Sequence, residues 1–181
     1  EEMPSQINMG AMRQRIARGE IPGFFRNTAF PHYGPVGDLW LNLITDGVIQ
    51  RYAENGELLF EFKLDEPEMD GIREAFVEQH SDPSFRGLFA LRFPGDIFST
   101  GQELWVLLNR GEEEGAVIVR LSMDGKNLGR IVIPEVEGAK QLAVDTERSR
   151  VFLAVPSTAE VVEVRFAEHS ETHHPSLLLG G

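Results

Sequence analysis

The sequence predicts a mainly β chain of short antiparallel strands in repeated meanders, interrupted by two short helical insertions. Three observations carry this expectation. Apolar and β-branched runs of four to seven residues recur along the chain, bounded by turn residues. Asn55-Gly56 and Asp124-Gly125 each lie between two such runs. The hairpin containing the first pair is repeated, without a gap, as the hairpin containing the second.

The elements follow in order. Between Gly10 and Gly19, Met12 and Ile16 share one helical face, and Arg13, Arg15 and Arg18 crowd the C-terminal half, where cations suit the dipole. Ile21-Pro22-Gly23 is read as the stop. A second helix is expected from Asp70, as N-cap, to His80, with Ile72, Phe76 and Val77 as its apolar stripe and Ser81-Asp82-Pro83 as its end. Strands are expected at Leu39–Leu43, Val48–Tyr52, Leu58–Leu64, Leu104–Leu108, Ala116–Leu121, Leu128–Ile133, Val151–Val155 and Val161–Phe166. The Asn-Gly and Asp-Gly pairs predict type I′ turns, with positive φ at both central residues.

At an offset of 69, Ile49–Leu59 lies over Ile118–Leu128, and Phe62 and Leu64 lie over Ile131 and Ile133. At an offset of 65, Asp38-Leu39-Trp40-Leu41 lies over Glu103-Leu104-Trp105-Val106. The difference falls in a loop, where Gly111–Gly115 is longer than Thr45-Asp46-Gly47. A third copy matches Val151-Phe152-Leu153-Ala154 to Leu104–Leu107 at an offset of 47, and Val164-Arg165-Phe166 to Val119-Arg120-Leu121 at 45. Innermost strands precede each copy at Phe30–Tyr33, Asp96–Ser99 and Gln141–Val144. A four-stranded meander repeated at this spacing predicts the blades of a partial β-propeller rather than a sandwich. The expected organisation is a helical segment over 1–20, a partial propeller over 21–168 with blades near 28–66, 85–135 and 138–168, and a tail over 169–181.

The motifs "GDLWLN…VIQRYAENGELLFEFKL" and "QELWVLL…VIVRLSMDGKNLGRIVI" resemble blades of NHL-like and TolB-like six-bladed β-propellers. There, a Gly-x-Leu-Trp-Val strand precedes a hairpin closed by Asp-Gly or Asn-Gly. The helix followed by "IPGFFRNTAFPHYG" is similar to bacterial members with a helix before the inner strand. The resemblance covers residues 20–168. It implies a propeller fold, ligand residues drawn from every blade around a channel, and a periplasmic or extracellular place. It leaves hydrolases, lyases and pure binding platforms all open.

Three blades are fewer than the four to eight with which propellers close. Exposing a few hundred Å² of apolar surface at each end would cost on the order of 10 kcal/mol at about 25 cal/mol per Å², comparable with the whole stability of a domain. The expectation is therefore that the chain is not an isolated monomer. A preceding half, a protein partner or a second copy covers the open blades. The chain does not begin with Met, and residues 1–20 do not read as a closing strand, so a processed or preceding segment is also expected.

Composition narrows the classes. The 181 residues carry 17 Lys+Arg and 29 Asp+Glu, a formal charge of −12, which argues against nucleic acid as partner. No apolar run is long enough to span a bilayer. There is no cysteine, hence no disulfide and no thiolate chemistry.

No nucleophile elbow, phosphate loop, dinucleotide fingerprint or zinc-protease motif is present, so no catalytic residue, metal ligand or cofactor is assigned. The binding candidates are His32, Tyr33 and Asp96 on inner strands, and Trp40 and Trp105 at equivalent positions, where they fill the wedge between blades or stack on a ligand. Arg51, Arg120 and Arg165 are also equivalent and are expected to pair with carboxylates of neighbouring blades or to cover apolar surface. Glu112-Glu113-Glu114 and the cluster Asp65, Glu66, Glu68, Asp70 are read as solvated acids, His169, His173 and His174 as a tail, and His80 as structural.

The function expected is a non-catalytic binding or scaffold module that docks a protein partner or forms an extrinsic subunit of a larger assembly. The alternative is part of a metal-dependent propeller hydrolase or lyase, with His32 and Asp96 as its inner-strand side chains.

Overall fold

A computed structural model describes residues 9–26, 28–82, 84–85, 90–111 and 114–166, with the side chains of Met9 and Phe24 left aside. Three antiparallel meanders follow one another along the chain. The first sheet holds β1 (Ala29–Tyr33), β2 (Leu39–Leu43), β3 (Val48–Tyr52) and β4 (Leu58–Lys63). The second holds β5 (Pro94–Ser99), β6 (Glu103–Leu108), β7 (Gly115–Ser122) and β8 (Asn127–Glu137). The third holds β9 (Gln141–Asp145), β10 (Arg150–Val155) and β11 (Glu160–Arg165), three strands among the described residues. The first strands of the meanders lie side by side, β1 against β5 and β5 against β9. Sheets stacked face to face with their first strands innermost are blades around an axis. The fold is a partial β-propeller, as the repeat predicts.

Strand periodicity explains the stacking, because alternate residues face opposite sides. In β6, Leu104, Val106 and Leu108 enter one core, together with Trp40 and Ile49 of the first sheet. Trp105 and Leu107 enter a second core, with Val151, Leu153 and Val164 of the third sheet. The middle sheet is thus covered on both faces. Among the described residues, the outer sheets are covered on one. In β2, Trp40 and Asn42 are buried while Leu39, Leu41 and Leu43 remain part-exposed on the other side.

Helix α1 (Met9–Ala17) ends where Gly19, at φ 78°, donates its N–H to the Ile16 carbonyl at 2.7 Å. Ile21-Pro22-Gly23 leads into a further single turn, α2 (Gly23–Arg26), rather than into a strand. Helix α3 (Glu68–Ser81) packs on α1, and Met69 and Phe76 close the outer end of the first core with Ile16 and Phe25.

Four expectations are corrected. The cap of α3 is Pro67, not Asp70, and it makes no side-chain capping bond. Its φ of −60° is already helical and it has no N–H to satisfy, so the helix starts early and Asp70 falls in its first turn beside Glu68. The hairpin turns are not type I′: only Gly56 and Gly125 have positive φ, at 83° and 78°. Each loop spans three residues. Gly56 N–H bonds the Ala53 carbonyl and Ala53 N–H bonds the Glu57 carbonyl, both at 2.9 Å, and Ser122–Lys126 repeats the pattern. The extra residue appears as bulges at Arg51/Tyr52 and Arg120/Leu121. Strand β8 runs on past Ile133 to Glu137, through Pro134. It lies at the edge of its sheet, where a missing N–H breaks no ladder. Finally, Glu66 and Glu68 are not merely solvated: Glu68 pairs with Arg130, and Glu66 accepts from Asn127 at 3.3 Å, tying the start of α3 to β8. Burial raises the Glu66 carboxyl above its ordinary value, against the pull of Arg130. Pro83, Glu112, Glu113, His169, His173 and His174 lie outside the described residues.

Candidate docking face and inner seam

The five binding candidates separate into three places. His32 and Asp96 meet at the seam between inner strands. His32 Nε2 accepts the backbone N–H of Ser99 at 3.4 Å, and its ring lies 5.7 Å from that of Phe98. Accepting at Nε2 places the proton of a neutral ring on Nδ1. Asp96 accepts the N–H of Ile97 at 3.0 Å and, across the seam, the N–H of Leu142 at 2.9 Å. Burial pushes its carboxyl above the ordinary value; the two backbone bonds and the nearby His32 oppose that shift. Both side chains therefore do one job. Each accepts an N–H that the next blade's innermost strand would otherwise leave without a partner.

Trp40 and Trp105 have no exposed surface. Trp40 donates its indole N–H to Asp38 Oδ2 at 3.0 Å, and the Arg51 guanidinium lies 5.4 Å from its ring. Arg51 Nε bonds the same Asp38 oxygen at 2.7 Å. At Trp105, Arg120 stands 4.9 Å from the ring and holds both Glu103 oxygens, at 3.0 and 2.8 Å. In the third sheet the arginine at the aromatic is Arg150, on the same strand as Phe152, 5.2 Å from its ring and bonded to Asp145 at 2.7 Å, while Glu163 stands opposite Phe152. The arginine partners thus lie within each arginine's own sheet, not on neighbouring blades, and Arg165 pairs with Glu163 of its own strand at 3.3 Å. The register explains this. Trp40 stands directly opposite Arg51, and Trp105 opposite Arg120, so each guanidinium lies across its aromatic before it can reach another sheet. That cross-strand pairing follows from the hairpin spacing and was the signal available in the sequence.

Tyr33 is on the other side of the first sheet and 77% exposed. It borders a shallow pit of about 320 Å³ with Leu39, Leu41, Tyr52, Ala53 and Glu54. Sequence reasoning did not single out this pit. Its signal was Leu39-Trp40-Leu41-Asn42-Leu43, a strand with apolar residues on both faces, which fits a sheet covered on both sides. A wider groove, about 970 Å³, runs beside α3 past Ile72, Phe76, Leu91 and Arg110, and its walls at Ala90, Gly111 and Glu114 adjoin residues outside the described set. Among the described residues, no three His, Asp or Glu side chains group as metal ligands. No helix among the described residues is long and apolar enough to cross a membrane.

No protein-family model matches the chain, and no curated protein matches it. Among solved structures it is similar to a streptogramin B lyase, at 14% identity and a TM-score of 0.41 over 75% of this chain and 39% of that one. It is similar also to a catalytically inactive virginiamycin B lyase from Staphylococcus aureus with quinupristin, at 13% and 0.43 over 81% and 43%. A protein of unknown function from Bacteroides caccae gives 15% and 0.41 over 76% and 46%. The chain spans less than half the length of each of these. Likeness at this level brings neither an activity nor a substrate to this chain.

Proposed function

We propose that this chain is a non-catalytic docking module, and that a protein partner seats on the open face of its first sheet. One comparison within the molecule carries the reading. Leu104, Val106, Leu108 and Leu121 of the second sheet are at most 3% exposed, because the first sheet covers them. Their repeat equivalents Leu39, Leu41, Leu43 and Tyr52 have the same chemistry and are part-exposed. A contiguous apolar face of this kind, with Tyr33 at its rim, is a protein-binding surface. The resemblance of its hairpin motif to NHL-like and TolB-like propellers supports reading it as a periplasmic or extracellular protein that docks to a partner or forms an extrinsic subunit of a larger assembly.

The test is a photo-crosslinking amino acid at position 41, in the cells that make the protein, with the exposed Lys126 position as control. A discrete protein adduct specific to position 41 is expected. Illumination that yields no protein adduct there overturns the reading.

A further inference from the structure

The repeat states what such a face accepts. In the second core, Trp105 of the middle sheet rests on the third sheet, beside Val151 and Leu153, with its ring 5.1 Å from that of Phe166. In the first core, Trp40 of the first sheet shares a cluster with Leu104, Val106 and Leu121 of the middle sheet. By strand pairing, Leu104, Val106 and Leu121 hold the positions of Val151, Leu153 and Val164, which also line the second core. Both junctions are thus the same contact: an aromatic held beneath an arginine is seated on two aliphatic side chains and a third apolar residue.

The equivalents in the first sheet are Leu39, Leu41 and Tyr52, the residues that line the 320 Å³ pit. The pit is an aromatic seat that no side chain among the described residues fills. The matching aromatic is also present. Phe152, the equivalent of Trp40 and Trp105, lies part-exposed on the outer face of the third sheet with Arg150 across its ring. Ala143 and Ala154 flank it on β9 and β10, paired with Phe152 and Gln141 respectively. One end of the stack carries the seat and the other carries the side chain that fits it. Such faces are heterologous, so two copies can join twice. The described residues form three sheets, so two copies bring six of them together, within the range at which propellers close.

We infer that two copies of this chain pair head to tail, with Phe152 of each seated in the Leu39–Leu41–Tyr52 pit of the other. The inference rests on the docking reading and names its partner. Inner-strand geometry fits a contact made by side chains: the first sheet has Pro31 where the third has Leu142, so it offers no N–H like the one Asp96 accepts.

The test is light scattering on the full chain, wild type and two variants, Leu41→Glu and Phe152→Glu. Wild type is expected at twice 20.3 kDa. Each variant alone is expected as a monomer, its dissociation constant raised about thirtyfold or more. Mixed in equal amounts, the variants are expected to associate more tightly than either alone, because the intact Phe152 of one meets the intact pit of the other and restores one of the two contacts. A contact between two like faces would not recover. Circular dichroism checks that the variants fold, and Leu41→Ala and Phe152→Ala give the same reading if either glutamate does not. A wild-type chain that stays at 20.3 kDa at its solubility limit overturns the inference, as does a dimer indifferent to Phe152 or a mixture that associates no more tightly than either variant alone. A crosslink from position 41 to a different protein, with a monomeric chain, overturns the pairing and leaves the docking reading standing. A crosslink to a second copy supports both.

Discussion

Replacing each tryptophan by phenylalanine separates two sites that look alike by burial. Both indoles are fully buried at equivalent positions. Loss of the second ring costs both variants about 1–2 kcal/mol in transfer and cavity terms. The polar terms differ in sign. Trp40→Phe removes the 3.0 Å bond to Asp38, a carboxylate only 4% exposed whose other oxygen has no partner among the described residues. A bond to a buried charged group is worth about 1.5–3 kcal/mol. Trp105→Phe instead removes an indole N–H that has no partner among the described residues. Deleting a buried unsatisfied donor returns about 1–3 kcal/mol. Trp40→Phe should therefore destabilise by about 3–4 kcal/mol, and Trp105→Phe by about 1 kcal/mol or less. The assay is urea unfolding at one fixed protein concentration, since association couples to stability. Because the chain has 2 tryptophans, each variant keeps a single fluorophore to report its own transition. Equal costs, or a larger cost at Trp105, would refute the reasoning.

Gly34→Ala should cost about 2 kcal/mol or more, although Gly34 is not in the left-handed region. A Cβ there would lie 2.0 Å from Asp38 Oδ1, and Trp40 and Arg51 hold that carboxylate in place. Thermal melting checks it, and an unchanged Tm would show that Asp38 yields freely. Asp96→Asn should alter the pH dependence of stability. Burial raises the folded carboxyl above 3.8, so the folded chain holds that proton more tightly than the unfolded one. Stability from this group is full below that value and is lost as pH rises through the raised folded value. The asparagine variant does not titrate, so it should gain on wild type as pH rises from about 4 toward neutrality. Urea melts across that range read the difference, and a flat or falling one contradicts the assignment.

The strands and their grouping were legible in the sequence because both signals are local and periodic. Leu39-Trp40-Leu41-Asn42-Leu43 is a short apolar run bounded by turn residues, and the Ile49–Leu59 segment recurs in register at Ile118–Leu128. The ends of elements were not. Asp70 and Pro67 are both competent to begin α3; Pro67 does so, and the Glu68–Arg130 contact that ties this end to β8 joins residues 62 apart. Asn55-Gly56 fits two turn types that differ by one residue of loop, and the bulge beyond Arg51 chooses between them. At the seam, the sequence placed His32 and Asp96 on inner strands. That each serves a backbone N–H of the next blade follows only once the strands are stacked. The pit beside Tyr33 was hidden for the same reason, since a part-exposed leucine and a buried one read identically until one knows which sheet stands last.

The middle sheet's double cover has a consequence for how the protein comes apart. Residues 104–108 are at most 1% exposed and wall both cores at once, whereas each end sheet walls one. An end sheet can lift away and leave the remaining pair intact, but opening β6 drains both cores together. Heavy-water exchange at those amides then reports the whole molecule's opening, while exchange in β9–β11 reports only the release of one flank. Selection for stability alone should correspondingly weigh most heavily on the sequence around Trp105.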